Sequence, residues 1–196
     1  MSKNRDWLIG AERELFTRVE LTPIITAINL GCGSRILAGF KNVDKFYDHP
    51  DVIKNDITTL ESFEPNSVDL LFSAHSLEHV SLRHVPKTLR RWVEVLKPGG
   101  ELWISMPDLD TICRQLIETT DSKLREWLKY TIYGWQAPQG CAGDYEGPVD
   151  PGQFHTSGYG QVEFIGMLGP LGIKITSHFS YDGYGTPSFQ IIGEKL

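Results

Sequence analysis

Cysteine is scarce in this sequence, long apolar runs are missing, and positive charge is outweighed by negative. The 196 residues hold three cysteines, Cys32, Cys113 and Cys141. They form no CxxC pair and no even set, so neither a disulfide framework nor a zinc site is expected. No apolar run approaches membrane-spanning length, and the opening residues, MSKNRDWLIG, contain no signal-peptide core. The expected setting is the reducing cytoplasm, without membrane insertion. Lys and Arg number 19 against 25 Asp and Glu, a formal net charge of -6. Such a chain grips a nucleic-acid backbone only where its positive charge is concentrated. The densest basic run, Arg83, His84, Lys87, Arg90 and Arg91, alternates with Leu82, Val85, Leu89, Trp92 and Val93 at helical spacing. That is the solvated face of an amphipathic helix, and no nucleic-acid partner is expected.

Two phosphate-binding signatures are missing as well. The stretch INLGCGSRILAGFKNVD, Ile28 to Asp44, has the small residues of a ligand-binding turn. A dinucleotide fingerprint would place a third glycine where Ile36 stands, and its acid about twenty residues further on. Here Asp44 follows Gly33 by only eleven residues, too few for a full helix between strands. No GK[ST] follows, so a P-loop is excluded too. A ligand without phosphates suits the stretch better. The Gly31–Gly33 turn lets backbone approach an amino-acid moiety, and Asp44 can accept hydrogen bonds from two ribose hydroxyls. Twelve residues on, the Asp56 carboxylate can meet an adenine amino group and the Ile57 N–H a ring nitrogen. An adenosine joined to an amino acid is S-adenosylmethionine.

The composition is that of an ordinary soluble protein, 40% hydrophobic and 22% charged, and the length fits a single domain over residues 1–196. A helix is expected over NRDWLIGAERELFTRVE, then strands at ITAINL, NVD, DVIKNDI and SVDLLFSAH. LRHVPKTLRRWVEVL reads as a helix stopped by KPGG, and ELWISMPDL as a buried strand. One or two helices follow over 109–134, and another over QVEFIGMLGPLG. IKITSHFS and PSFQIIGEKL read as an antiparallel hairpin, the second as a C-terminal edge strand. Strands alternating with helices imply an α/β fold with a mostly parallel sheet, helices on both faces and a shortened first crossover. Gly134 to Gly158 carries six glycines and three prolines with aromatic residues and His155. A structureless stretch of that length reads as an active-site loop.

INLGCG, NVD, NDI, VDLLFSAHSLEHV and EVLKPGGELWISMPD stand in an order and spacing that resembles the class I S-adenosylmethionine-dependent methyltransferases, over about Ile24 to Leu109. Within that family the chain looks most like the compact methyltransferases of polysaccharide and sugar-nucleotide pathways, with their LEH after the fourth strand and a Gly-rich loop holding a histidine. The resemblance implies a Rossmann-like methyltransferase fold with S-adenosylmethionine as cofactor. It assigns Gly31, Cys32 and Gly33 to the methionine end, Asp44 to the ribose, and Asp56 and Ile57 to the adenine. Ser73, Ala74 and His75 form the strand end facing the donor methyl. The turn departs from the family, reading GCGS where many members have GxGxG.

The function expected is therefore O-methylation of a sugar hydroxyl in a glycan or sugar nucleotide. The alternatives are another small-metabolite acceptor, or a non-catalytic module that binds S-adenosylmethionine. A hydroxyl acceptor needs a base. His155 is the first candidate, with Asp108 as its partner; Asp108 also suits the N-cap of a helix starting at Leu109. His75, ending the fourth strand, is the second. Glu78 and His79 are expected to hold the strand-to-helix turn, and Tyr133, Trp135 and Tyr145 to form a stacking wall. Asp108 and Asp110 lack a third ligand, and no metal is expected. The fourth strand end reads Ser73-Ala74-His75-Ser76, not the [DNS]PP[YFW] of many base-methylating enzymes.

Overall fold

The computed structural model describes residues 25–137, 147–183 and 185–196. The helix expected over residues 4–20, with Cys141 and Tyr145, lies outside the described residues. Four strands open the fold: β1 (Ala27–Leu30), β2 (Lys41–Asp44), β3 (Val52–Lys54) and β4 (Val68–Ala74). Helix α1 (Val85–Val95) leads into β5 (Leu96–Pro107). Helices α2 (Leu109–Glu118), α3 (Ser122–Tyr133) and α4 (Gln161–Leu168) precede β6 (Ile173–Gly183) and β7 (Thr186–Lys195). The sheet order is β3-β2-β1-β4-β5-β7-β6. Ladders from β3 through β5 are parallel, and β7 runs antiparallel to both its neighbours. The first crossover, residues 31–40, contains no helix, as its length predicts.

The C-terminal strand corrects the sequence expectation. It is not the edge but lies between β5 and β6. Its Phe189, Gln190 and Ile191 are buried, whereas β6 alternates towards exposure and takes the edge. KPGG also behaves differently: α1 stops at Val95, and Leu96 to Gly100 already belong to β5.

α1 forms because Val85, Leu89, Trp92 and Val93 recur on one face, with Pro86 in its first turn. That face and Phe164 and Leu168 of α4 share the main core with Leu71 and Ile104 of the sheet. Trp92 is fully buried, and its indole N–H donates to Ile57 O at 2.7 Å. Burying such a side chain stabilises by roughly 1.5–3 kcal/mol. The outward residues Arg83, His84, Lys87 and Arg90 are exposed, while Arg91 turns back onto the carbonyls of Thr59, Leu60 and Phe63. Ala27, Leu70, Phe72 and Trp103 form a second core with Phe40 on the opposite sheet face. α2 and α3 are separate helices because Asp121 caps the second, accepting from the N–H groups of Lys123 and Leu124. No helix among the described residues is long and apolar enough to cross a membrane.

Candidate functional site

Strand order reverses between β1 and β4, and open α/β sheets bind ligands in the crevice at the carboxyl ends of such strands. Gly31 and Gly33 leave β1 with φ of 60° and 48°, which side chains rarely adopt. Gly33 N–H donates to Asp44 Oδ2 at 2.9 Å. The other Asp44 oxygen accepts from the N–H groups of Phe46 and Tyr47, at 2.7 and 2.8 Å. Asp44 therefore ties the β1 turn to the β2 end. Between the glycines, Cys32 is buried, and its N–H donates to Val43 O. Burial, helped by the negative charge of Asp44, pushes its thiol up to about 12.

Beyond β3, Asp56 pairs with Lys45 at 2.8 Å and accepts from Thr58. Burial disfavours its charge, but the hydrogen bonds from Lys45 and Thr58 prevail and hold its pKa below the ordinary value. Ile57 O takes the Trp92 indole, so this turn is anchored to the core helix.

At the end of β4, Ser73 is fully buried, its hydroxyl 2.7 Å from that of Ser76. It thus stands behind the site, not in the wall facing it, because alternation along a strand turns successive side chains to opposite faces. Ala74 and His75 do line the cavity, whose volume is about 290 Å³. His75 has a φ of 51°, an uncommon conformation for a side-chain-bearing residue and one that recurs at functional sites. Its Nε2 lies 3.3 Å from the Tyr181 hydroxyl and its Nδ1 3.4 Å from Glu78 Oε1.

The loop stem delivers His155 to the same place. Thr156 and Ser157 donate their N–H groups to Glu78 O, at 2.8 and 3.1 Å, and their hydroxyls to His79 O and Leu77 O. The turn after β4 is thus held by main-chain carbonyls, and the Glu78 and His79 side chains face His155. His155 Nδ1 is 2.8 Å from Thr131 O, and the His79 and His155 rings meet edge to face at 4.9 Å. Burial works against the charged Glu78 carboxylate, but His75, His79 and His155 outweigh it and hold its pKa down to about 2. Burial also lowers the pKa of His155, against an opposing pull from Glu78.

Asp108 is not the partner of His155. Its Oδ2 accepts the Thr111 hydroxyl at 2.8 Å in the first turn of α2, and the carboxylate beside His155 is that of Glu78. Asp108 occupies the N-cap position, where a side chain bonds within its own first turn more readily than across to a distant loop. Asp108 and Asp110 do not converge with a third potential metal ligand among the described residues.

The opposite wall is aromatic. Trp135 lies 6.2 Å from Trp127 and 5.1 Å from Tyr130, centroid to centroid, and all three line the cavity. Of the wall expected from the sequence, Trp135 is in place and Tyr133 is 61% exposed, outside this cavity. Trp127 and Tyr130 were missed; their helical spacing with Thr131 reads as core until α3 is seen to cross the crevice.

The turn fits S-adenosylmethionine. Gly31 and Gly33 take a left-handed conformation, Gly31 and Cys32 line the cavity, and a carboxylate sits at the next strand end. Residues 14–104 match the sequence family described as a methyltransferase domain. No curated protein matches the chain at a significant level. Among solved structures, a S-adenosylmethionine-dependent methyltransferase from Methanosarcina mazei is 14% identical, with 96% of this chain and 98% of that one covered and a TM-score of 0.63. The 1,6-didemethyltoxoflavin-N1-methyltransferase of Burkholderia thailandensis, with its substrate and S-adenosylhomocysteine bound, is 13% identical over 95% of this chain and 79% of that one, TM-score 0.60. The phosphoethanolamine N-methyltransferase 2 of Haemonchus contortus is 14% identical over 95% of this chain and 53% of that one, TM-score 0.55. The sequence match, which spans just under half of the chain, and the shared fold agree on a Rossmann-like methyltransferase domain with S-adenosylmethionine as cofactor.

Proposed function

We propose that the chain methylates a hydroxyl of a sugar, in a glycan or a sugar nucleotide. S-adenosylmethionine supplies a methyl group already activated on a sulfonium, so the protein must mainly position the acceptor and receive its proton. In this reading Gly31, Cys32, Gly33, Asp44, Asp56 and Ile57 hold the cofactor, and Ala74 and His75 face its methyl. Ser73 supports them through Ser76.

The observation that carries the reading is the His75–Glu78 pair at the strand end. Hydroxyls need a base, and an imidazole backed by a buried carboxylate is suited to one. Glu78 lies on the Nδ1 side, which leaves Nε2, on the Tyr181 side, to accept the proton. The base thus moves from His155 to His75, because the carboxylate is Glu78 and not Asp108. His155 walls the acceptor site together with Trp135 and Gln153 of the same loop. Trp127, Tyr130 and Trp135 offer apolar faces against which a sugar ring stacks.

The same three rings also suit a flat heteroaromatic metabolite, a second reading supported by the toxoflavin-type substrate of the Burkholderia enzyme. Labelled donor, offered with sugar nucleotides, oligosaccharides and heteroaromatic amines, separates the two. The expected product is an O-methyl sugar, and His75→Ala lowers kcat by about 10²–10⁴-fold. Methyl found only on ring nitrogen, or full activity in His75→Ala, refutes the sugar-hydroxyl reading.

A further inference from the structure

Glu78 is 1% exposed, and neither of its carboxylate oxygens receives a hydrogen bond among the described residues. The 3.4 Å separation from His75 Nδ1 exceeds the usual N–H···O range of about 2.7–3.2 Å. His75 is thus a long-range partner to this buried carboxylate, which a further positive partner at closer range would stabilise.

His79 and His155 indicate what that partner is. Each turns Nδ1 to a main-chain carbonyl, Phe154 O at 3.1 Å and Thr131 O at 2.8 Å. A carbonyl accepts only from a protonated Nδ1, so in each neutral ring the Nε2 lone pair is left to ligate. Metal-binding histidines are oriented in this way. One potential ligand atom from each of Glu78, His79 and His155 lies within 4.8 Å of the others. Zinc held at about 2.0–2.1 Å in a tetrahedron sets its ligands about 3.4 Å apart. Rotation of the Glu78, His79 and His155 side chains would close the difference. Glu78 and His155 also stand in the wall between the main cavity and a second one of about 230 Å³.

We propose that Glu78, His79 and His155 bind one divalent transition-metal ion of the zinc type, with a further coordination position open to the cavity. Two imidazoles and a carboxylate suit zinc; magnesium and calcium prefer all-oxygen sets. The two described cysteines, Cys32 and Cys113, are not among the ligands. The ligands come from the turn after β4 and from the loop stem, already joined by the hydrogen bonds of Thr156 and Ser157 to Glu78 O. The ion joins the loop to the sheet through side chains where the backbone has already done so. This inference goes beyond the sugar-hydroxyl reading and does not rest on it.

The test uses untagged full-length protein, stripped with a chelator and titrated with zinc against a chromophoric indicator. Cobalt is substituted in parallel for its visible absorption. The expected result is one zinc per chain, not displaced by excess magnesium, and an intense cobalt band of low coordination number. His79→Ala and His155→Ala each weaken zinc by about 100-fold or more, at or beyond the upper end of what loss of an outer partner costs. Circular dichroism establishes that the variants are folded, and where alanine unfolds the chain, His155→Gln of similar size replaces it. Folded wild-type protein that binds no stoichiometric zinc overturns the proposal. So does zinc binding that survives both histidine substitutions. The readout is metal, not methyl transfer, so failure of the sugar-hydroxyl reading leaves this result standing.

Discussion

Gly31 lies so close to Ser76 that a Cβ on the glycine would overlap the serine's own Cβ. The contact joins the cofactor turn after β1 to the turn after β4, across the point where strand order reverses. Gly31→Ala adds that overlap to a φ of 60°. We expect a loss of about 2–4 kcal/mol, from left-handed strain and overpacking together. For a chain of this size that lowers Tm by about 4–15 °C. Affinity for S-adenosylhomocysteine should fall as well, as calorimetry would record. Adding Ser76→Gly should recover part of the stability, because it removes the overlap and not the strain. An unperturbed Gly31→Ala protein would contradict the contact.

Asp44 combines two tasks, since its carboxylate already accepts three main-chain N–H groups, from Gly33, Phe46 and Tyr47. Asp44→Ala should weaken S-adenosylhomocysteine binding by roughly 10–100-fold, as loss of one charge-assisted hydrogen bond of about 1.5–3 kcal/mol implies. Asp44→Asn, with one oxygen left as acceptor, should fall between wild type and alanine. Equal affinity in a folded alanine variant would remove Asp44 from the cofactor site.

The two described cysteines should react very differently with iodoacetamide. Cys113 is exposed, whereas burial and the Asp44 charge raise Cys32 from 9.0 to about 12. The thiolate is the reactive form, and it grows as pH rises towards the pKa. At pH 8 it amounts to about one part in ten thousand for Cys32, by the ratio that a pKa of about 12 sets. Peptide-resolved mass spectrometry should show Cys113 alkylated and Cys32 untouched at pH 8. Asp44→Asn should raise Cys32 labelling, because it removes the charge that opposes the thiolate. Rapid labelling of Cys32 in folded wild-type protein would place it outside the buried turn.

Trp127 lines the cavity, on the side where the proposed acceptor would stack, and donates its indole N–H to Gly185 O at 2.7 Å. Trp127→Ala should raise the acceptor KM about tenfold, for a stacking contact of about 0.5–1.5 kcal/mol beyond the area lost. Donor affinity should stay near normal. Trp127→Phe keeps a stacking face without the hydrogen bond and should lie closer to wild type. A KM unchanged in both variants would assign the ring to packing alone.

Much of this was readable from residue order. The strand at Val68–Ala74 announces itself by a short, largely apolar run bounded by turn residues. The absent helix after Gly33 follows from the spacing to Asp44 alone. Residue order alone reads Glu78 and His79 only as turn residues. What makes them a site is the docking of Phe154 and His155, and Phe154 lies 75 residues from His79 in sequence. Residue type alone pairs Asp108 with His155, because both types suit a base and its partner. Residue type states what a side chain can do, not which neighbour its backbone gives it.

The sequence by itself determined the α/β class, the short first crossover, the glycine turn with its acid, and the amphipathic face of α1. These depend on local periodicity and on spacings within a few dozen residues, where chain geometry leaves few choices. Only the tertiary structure decided that the last strand lies inside the sheet, that Ser73 stands behind the cavity wall, and that Trp127 and Tyr130 face it. It also brought Glu78, His79 and His155 together. Strand order and loop docking depend on contacts between distant segments, and these are selected by burial over the whole chain rather than by any one stretch of it.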